Sequence, residues 1–158
     1  MDQHLEFVEC IKYLGVTITA NQSDNQEISN QYRNICCKAN VIIRKFNKCS
    51  TDVKNELFRV YCTNIYCMGL WNNYNKYVLN KARVCYNNSF RILNKLHRFC
   101  SASDMFVERN VMSFNETWRH GQWICVKSLL ASHNPLVKAV NNLQNSKLWK
   151  FYKSSLYI

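Results

Sequence analysis

Turn-forming residues are scarce: glycine occurs three times and proline once in 158 residues. Three glycines cannot supply a glycine-rich phosphate loop, whose backbone must approach a phosphate at several successive positions. Together with regular apolar spacing, the scarcity favours helices joined by short turns. Carboxylates are also few. Asp and Glu total 10, and the aspartates Asp2, Asp24, Asp52 and Asp104 stand apart from one another. Polymerase-type phosphoryl transfer needs two or three carboxylates around paired metal ions, and neither Asp-Asp nor Asp-x-Asp occurs. Long apolar runs are missing as well. The best candidate, Val60 to Trp71, spans 12 residues and contains Thr63 and Asn64, whereas a membrane span needs about 20. The first residues, Met1-Asp2-Gln3-His4, are polar and acidic, unlike a secretory leader. An intracellular protein of nucleus or cytoplasm, with no membrane partner, is therefore expected, and the Asn-x-Ser/Thr sequons at Asn21, Asn87 and Asn115 carry no glycosylation reading.

What the chain has in excess is positive charge. Lys and Arg total 21 against 10 acidic residues, a net charge of +11 with a pI near 9.3. Such an excess attracts polyanions, nucleic acid first among them. Apolar residues make up 47% of the chain, enough for a packed core rather than wholesale disorder. Nine cysteines are many; without a secretory leader they read as reduced and mostly buried. Metal-ligand spacing is absent. Cys36-Cys37, Cys62 with Cys67, His97 with Cys100 and His120 with Cys125 all lack the two-residue Cys–Cys gap of a zinc knuckle. No metal or cofactor is expected, and no Cys–His nucleophile is specifically indicated.

Along the chain, Leu5 to Thr19 is the strand region. Tyr13, Val16, Thr17 and Ile18 suit a pleated surface, and Gly15 interrupts it. One long strand or a hairpin fits, and a lone hairpin wants a partner sheet. Ser23 to Lys48 reads as a helix opening on a Ser23/Gln26 capping box, with Asp24 and Glu27 in its first turn. Its apolar stripe is Ile28, Tyr32, Ile35, Ala39, Ile42 and Phe46, and Arg33, Lys38, Arg44, Lys45 and Lys48 lie opposite. Ser50 or Thr51 caps a second helix running to about Leu70, with Val53, Leu57, Phe58, Tyr61, Ile65 and Met68 apolar and Trp71 closing it. The short link predicts an antiparallel pair. A third helix spans Tyr74 to Leu96, with Val78, Ala82, Cys85, Ser89, Ile92 and Leu93 on one side. Lys76, Lys81, Arg83, Arg91 and Lys95 make it basic, and Tyr74, Tyr77, Tyr86 and Phe90 interleave as candidate stacking groups. Shorter helices follow from Ser101 or Ser103 towards Met112, from Glu116 to Ser132 with Asn115 as its cap, and from Leu136 to Leu143. The fold class is mainly α: an N-terminal strand or hairpin, then a bundle of about five to six helices.

One resemblance rests on these residues. A Tyr13-Leu14-Gly15 triplet in a strand-like run before a long amphipathic helix resembles the end of the palm in LINE-type, non-LTR retrotransposon reverse transcriptases. The order of later segments extends it: Arg44 to Ser50, then Val53-Lys54, Leu57-Phe58, Tyr61-Cys62, Tyr66 and Leu70-Trp71. Tyr86 to Leu93 followed by Ser101 to Val107 is similar to the C-terminal extension of jockey-like elements. The family carries Tyr-Gly before its apolar-Trp pair, whereas here Cys67 and Met68 separate Tyr66 from Gly69. The resemblance implies a palm-end strand region at 1–20, a thumb-like basic bundle at 21–100, a helical extension at 101–146 and a basic aromatic tail at 147–158. It implies a non-catalytic part of an RNA-directed DNA polymerase, its palm upstream with the Mg2+ that the palm would hold. Its partners would be that palm and an RNA and DNA primer–template duplex. Candidate contacts are Arg33, Lys38, Arg44, Lys45, Lys48, Lys76, Lys81, Arg83, Arg91 and Lys95, with Tyr13, Leu14, Gly15 and Trp71 as structural motif residues. The alternatives are a basic helical protein-interaction module and an inactive transposon relic.

Overall fold

The computed structural model describes residues 7–142. A two-stranded antiparallel hairpin, β1 (Cys10–Tyr13) and β2 (Val16–Thr19), leads into six helices: α1 (Asn25–Lys45), α2 (Thr51–Cys62), α3 (Lys76–Leu93), α4 (Ala102–Glu108), α5 (Phe114–Leu130) and α6 (Pro135–Asn142). A 3₁₀ turn, Met68–Leu70, interrupts the link from α2 to α3. The mainly helical class with an N-terminal hairpin is thus observed. The tail expected at 147–158 and the strand start at Leu5 lie outside the described residues.

Leu14 and Gly15 turn the hairpin, both at positive φ (46° and 85°), the signature of a tight two-residue connection. Tyr13 pairs with Val16 and Cys10 with Thr19. β2 packs against α1. Its Thr17 amide donates to the buried Glu27 carboxylate (2.8 Å), and Asn30 Nδ2 donates to Thr17 Oγ1 (3.1 Å). β1 is exposed throughout.

The capping box at Ser23 and Gln26 does not form. Asp24 is the N-cap of α1 and makes no side-chain cap. Its carboxylate instead accepts the Asn72 and Asn73 amides (2.8 and 2.7 Å), while Asn75 N–H donates to Asn25 Oδ1 (2.7 Å). These bonds hold the starts of α1 and α3 together. A disulfide joins Cys36 to Cys85 further along, so the two helices run side by side in the same direction. The reduced, mostly buried reading of the cysteines is corrected here: only Cys62 among the free ones is buried. Spacing in the chain cannot reveal that packing brings positions 36 and 85 level.

α1 stops at Lys45 rather than Lys48. Lys54, itself buried, donates from Nζ to the Asn47 carbonyl (2.9 Å) and closes the turn into α2. α2 returns antiparallel, as expected, capped by Ser50. It ends at Cys62, eight residues before Leu70, because Thr63 Oγ1 bonds back to the Arg59 carbonyl and Cys67 takes a left-handed conformation (φ 55°). Trp71 is buried after the 3₁₀ turn instead of closing a helix. α5 starts two residues earlier than expected: Ser113, not Asn115, caps it in a full capping box with Glu116.

The core is aromatic. Phe58 of α2 meets Tyr86 (5.2 Å) and Phe90 (4.9 Å) of α3 edge-on. Phe106 of α4 stacks on Phe90 at 4.7 Å, and Phe114 of α5 meets Tyr86 at 5.9 Å. Tyr86 and Phe90 are therefore core residues, not stacking platforms for bases. The Tyr86 hydroxyl donates to the Met112 carbonyl (2.7 Å), and burial pushes its pKa up. Gly69 and Gly121 let the 3₁₀ turn and α5 touch backbone to backbone: a Cβ on Gly69 would lie 2.3 Å from the Gly121 carbonyl oxygen.

Candidate nucleic-acid interface

α3 begins at Asn75, whose side chain accepts the Tyr77 amide (2.8 Å). From there Lys76, Asn80, Arg83, Asn87 and Arg91 recur at i, i+4, i+7, i+11 and i+15, which sets them on one stripe of the helix. The stripe is about 22 Å long. It lines two adjoining grooves that share Arg83, Phe114 and Asn115. The first, of about 550 Å³, lies by Tyr74, Lys76, Tyr77 and Asn80. The second, of about 390 Å³, takes in Asn87, Arg91, Ser103 and Ser113. Among the described residues no Asp or Glu lines either groove.

Local bonds preset this surface. Arg83 Nη2 donates to Asn80 Oδ1 at 2.7 Å. Arg91 donates to the Cys100 carbonyl from Nε (3.3 Å) and Nη2 (2.9 Å) and to Asn88 from Nη1 (3.0 Å), so it staples the end of α3 to the loop before α4 while keeping its charge. The first residues of α5 form the far wall, and the amino end of a helix carries partial positive charge. The nearby Glu116 is turned back onto the Ser113 amide (2.7 Å), a bond that holds its carboxyl below the usual glutamate range.

The ten cations expected to grip phosphates do not share one surface. Lys76, Arg83 and Arg91 line the paired grooves. Arg33 and Arg44 are exposed on one stripe of α1, about 16 Å apart by helical rise. Lys81, exposed on α3, sits over the Tyr77 ring at 4.5 Å. Lys38 and Lys45 turn the other way and rim an apolar groove between α1 and α2. Lys48 lies past the end of α1 and Lys95 past α3, the latter at φ 55°. Of the interleaved aromatics Tyr77 is the exposed one, at 63%, with Lys81 over one face of its ring and the other face left for stacking. Among the described residues the ion pairs are Arg59–Glu56 and Arg109–Glu108, and none of the ten takes part.

Sequence reasoning missed Asn80, Asn87 and Asn115. The signal was the stripe itself: Lys, Asn, Arg, Asn and Arg at helical period. Tyr13, Leu14 and Gly15 lie at the hairpin turn, far from these cations in the chain. Among the described residues no group of three His, Cys, Asp or Glu side chains could hold a metal, and no helix is long and apolar enough to cross a membrane. Burial pushes the Cys62 thiol up to about 12, against a smaller downward pull from Lys38, and raises Cys67 and Cys125; these thiols are not activated as nucleophiles. The chain matches no family model, no curated protein and no solved structure.

Proposed function

We propose that the chain is a non-catalytic nucleic-acid-binding unit that holds a strand by its phosphates along α3. The observation that carries this is the Lys76–Asn80–Arg83–Asn87–Arg91 stripe in a groove without a carboxylate. Duplex nucleic acid presents a phosphate about every 3.4 Å of helix axis on each strand, so a stripe of this length has several phosphates within reach. Lysine and arginine bind phosphate oxygens, the asparagine amides donate hydrogen bonds between them, and Tyr77 offers one ring for an unpaired base. Contacts of this kind read no sequence. Arg33, Arg44, Lys81 and Lys95 add charge around the stripe.

In keeping with the resemblance to LINE-type reverse transcriptases, the bound form is a primer–template duplex, RNA–DNA hybrid included, and the chain acts as thumb and post-thumb extension beside a palm that carries the catalysis and its Mg2+. The exposed β1 strand supports this reading, since its open edge offers backbone donors and acceptors to a neighbouring sheet.

Binding of labelled RNA–DNA hybrid and DNA duplex to the whole chain tests the proposal. K76Q/R83Q should weaken both several-fold and to similar degrees across sequences. Equal affinity for the variant and the parent, or strong preference for one base sequence, contradicts it. The protein-docking alternative is favoured by a different surface, the apolar groove between α1 and α2.

A further inference from the structure

α2 was read as a core-facing helix with Val53, Leu57 and Tyr61 in its apolar stripe. In the fold Phe58, Ile65 and Met68 of that stripe are buried, while Val53 and Tyr61, with the adjoining Val60, are left uncovered. Val53, Val60 and Tyr61 are 45%, 58% and 53% exposed, and Leu57 is only partly covered. Val53, Leu57, Val60 and Tyr61 follow i, i+4, i+7 and i+8, a continuous helical face. Across from it lie Val41 of α1, half exposed, and Phe46 just past the end of that helix. Between the two helices runs an open groove of about 440 Å³ lined by Val41, Ile42, Phe46, Leu57 and Tyr61. Its polar rim is Lys38 and Lys45, one helical spacing of seven apart, and Lys48 follows in the exposed turn beyond. Among the described residues no acidic side chain lines the groove, and no ion pair involves these lysines.

We propose that this groove docks an amphipathic helix of a partner protein, one that seats apolar side chains at i, i+3 or i+4 and i+7 and carries Asp or Glu along its flank. The groove supplies what such a helix needs: an apolar trough about 12 Å long from Lys38 to Phe46, walled by two antiparallel helices, with unpaired cations on one side only. A nucleic-acid strand is the poorer occupant, because the trough is apolar and the lysines stand on its rim. The chain's own residues 143–158 are disfavoured by charge: they contain Lys147, Lys150 and Lys153 and no Asp or Glu. The site shares no residue with the α3 stripe, so it stands or falls separately from the proposed nucleic-acid grip.

The test uses the whole chain and a fluorescein-labelled synthetic helix of about 18 residues, with Leu at the seating positions and Glu on the flank. A second peptide carries Lys in place of each Glu. Anisotropy should show the Glu peptide binding at least about tenfold more tightly than the Lys peptide. Methyl resonances of Val41, Ile42 and Leu57 should shift on binding. V41E, at a half-exposed position that should not disturb folding, should lower affinity about tenfold or more, and K38E/K45E should transfer the preference to the Lys peptide. No binding of the Glu peptide, equal binding of both peptides, or methyl shifts elsewhere overturns the proposal. So does displacement of the Glu peptide from the parent chain by a DNA duplex whose own binding is lost in K38E/K45E, which would assign the lysines to phosphate.

Discussion

At Leu14 the backbone stands at φ 46° with the side chain 74% exposed. An L-residue with a branched side chain pays about 1 kcal/mol or more there, and Asn tolerates the same turn position far better. Leu14→Asn should therefore slow amide exchange in the hairpin, by about 0.5–1 kcal/mol of local stability; unchanged or faster exchange contradicts the turn described here. Glu116 carries a pH dependence of its own. Its backbone bond to Ser113 lowers its folded pKa, so its cap contributes fully above the ordinary glutamate range and is lost as the pH falls through the folded value. Glutamine can make the same cap without titrating. E116Q should thus lose less stability than the parent on acidification to about pH 3, followed by thermal melts across that range; identical profiles count against it. Single residues also mark where sequence reasoning stopped. Ser113/Glu116 was overlooked as a box because Asn115 offered an equally good cap nearby. Asp24 was read as a local helix-start charge, yet its bonds reach Asn72 and Asn73, 48 and 49 residues away. Nothing in the local pattern distinguishes the two uses of an aspartate.

Helix existence was legible and helix ends were not. The apolar period of α1 placed Ile28, Ile35, Ala39 and Ile42 in the core, because burial rewards that period directly. The same period misled in α2, where Val53 and Tyr61 lack a covering element and Thr63 breaks the helix by bonding its own backbone. On α3 the face carrying Ala82, Ser89 and Leu93 is buried as expected, while Ile92 is 61% exposed. The stripe of Lys, Asn and Arg was present in the sequence but masked, since attention to cations alone passes over the asparagines between them. The link between elements rests at one point on glycine. A methyl group on Gly69 would meet the Gly121 carbonyl oxygen at 2.3 Å, and backbone cannot move aside as a flexible side chain can. Gly69→Ala should destabilise the chain by about 2–3 kcal/mol or more, separating the 3₁₀ turn from α5. Urea unfolding measures it, and a midpoint within error of the parent would deny the contact.

For the whole molecule, charge decides. A net +11, with Asp24, Glu27 and Glu116 committed to backbone amides and Glu56 and Glu108 paired to Arg59 and Arg109, leaves most of the basic surface uncompensated. Composition alone made that excess legible. How helix packing divides it, into an α3 groove, an α1 face and a lysine-rimmed apolar trough, depends on the parallel pairing of α1 with α3 and the return of α2, which no local pattern encodes. The central claim is a phosphate grip along α3, and the salt dependence of binding tests it most directly. Affinity of the whole chain for a DNA duplex or RNA–DNA hybrid should be measured from low to physiological salt. If about five phosphates are neutralised, log K should fall against log salt with a slope near −4 to −5, and K76Q/R83Q should reduce the slope by about 2. A slope near zero, or one unchanged in K76Q/R83Q, would contradict the grip.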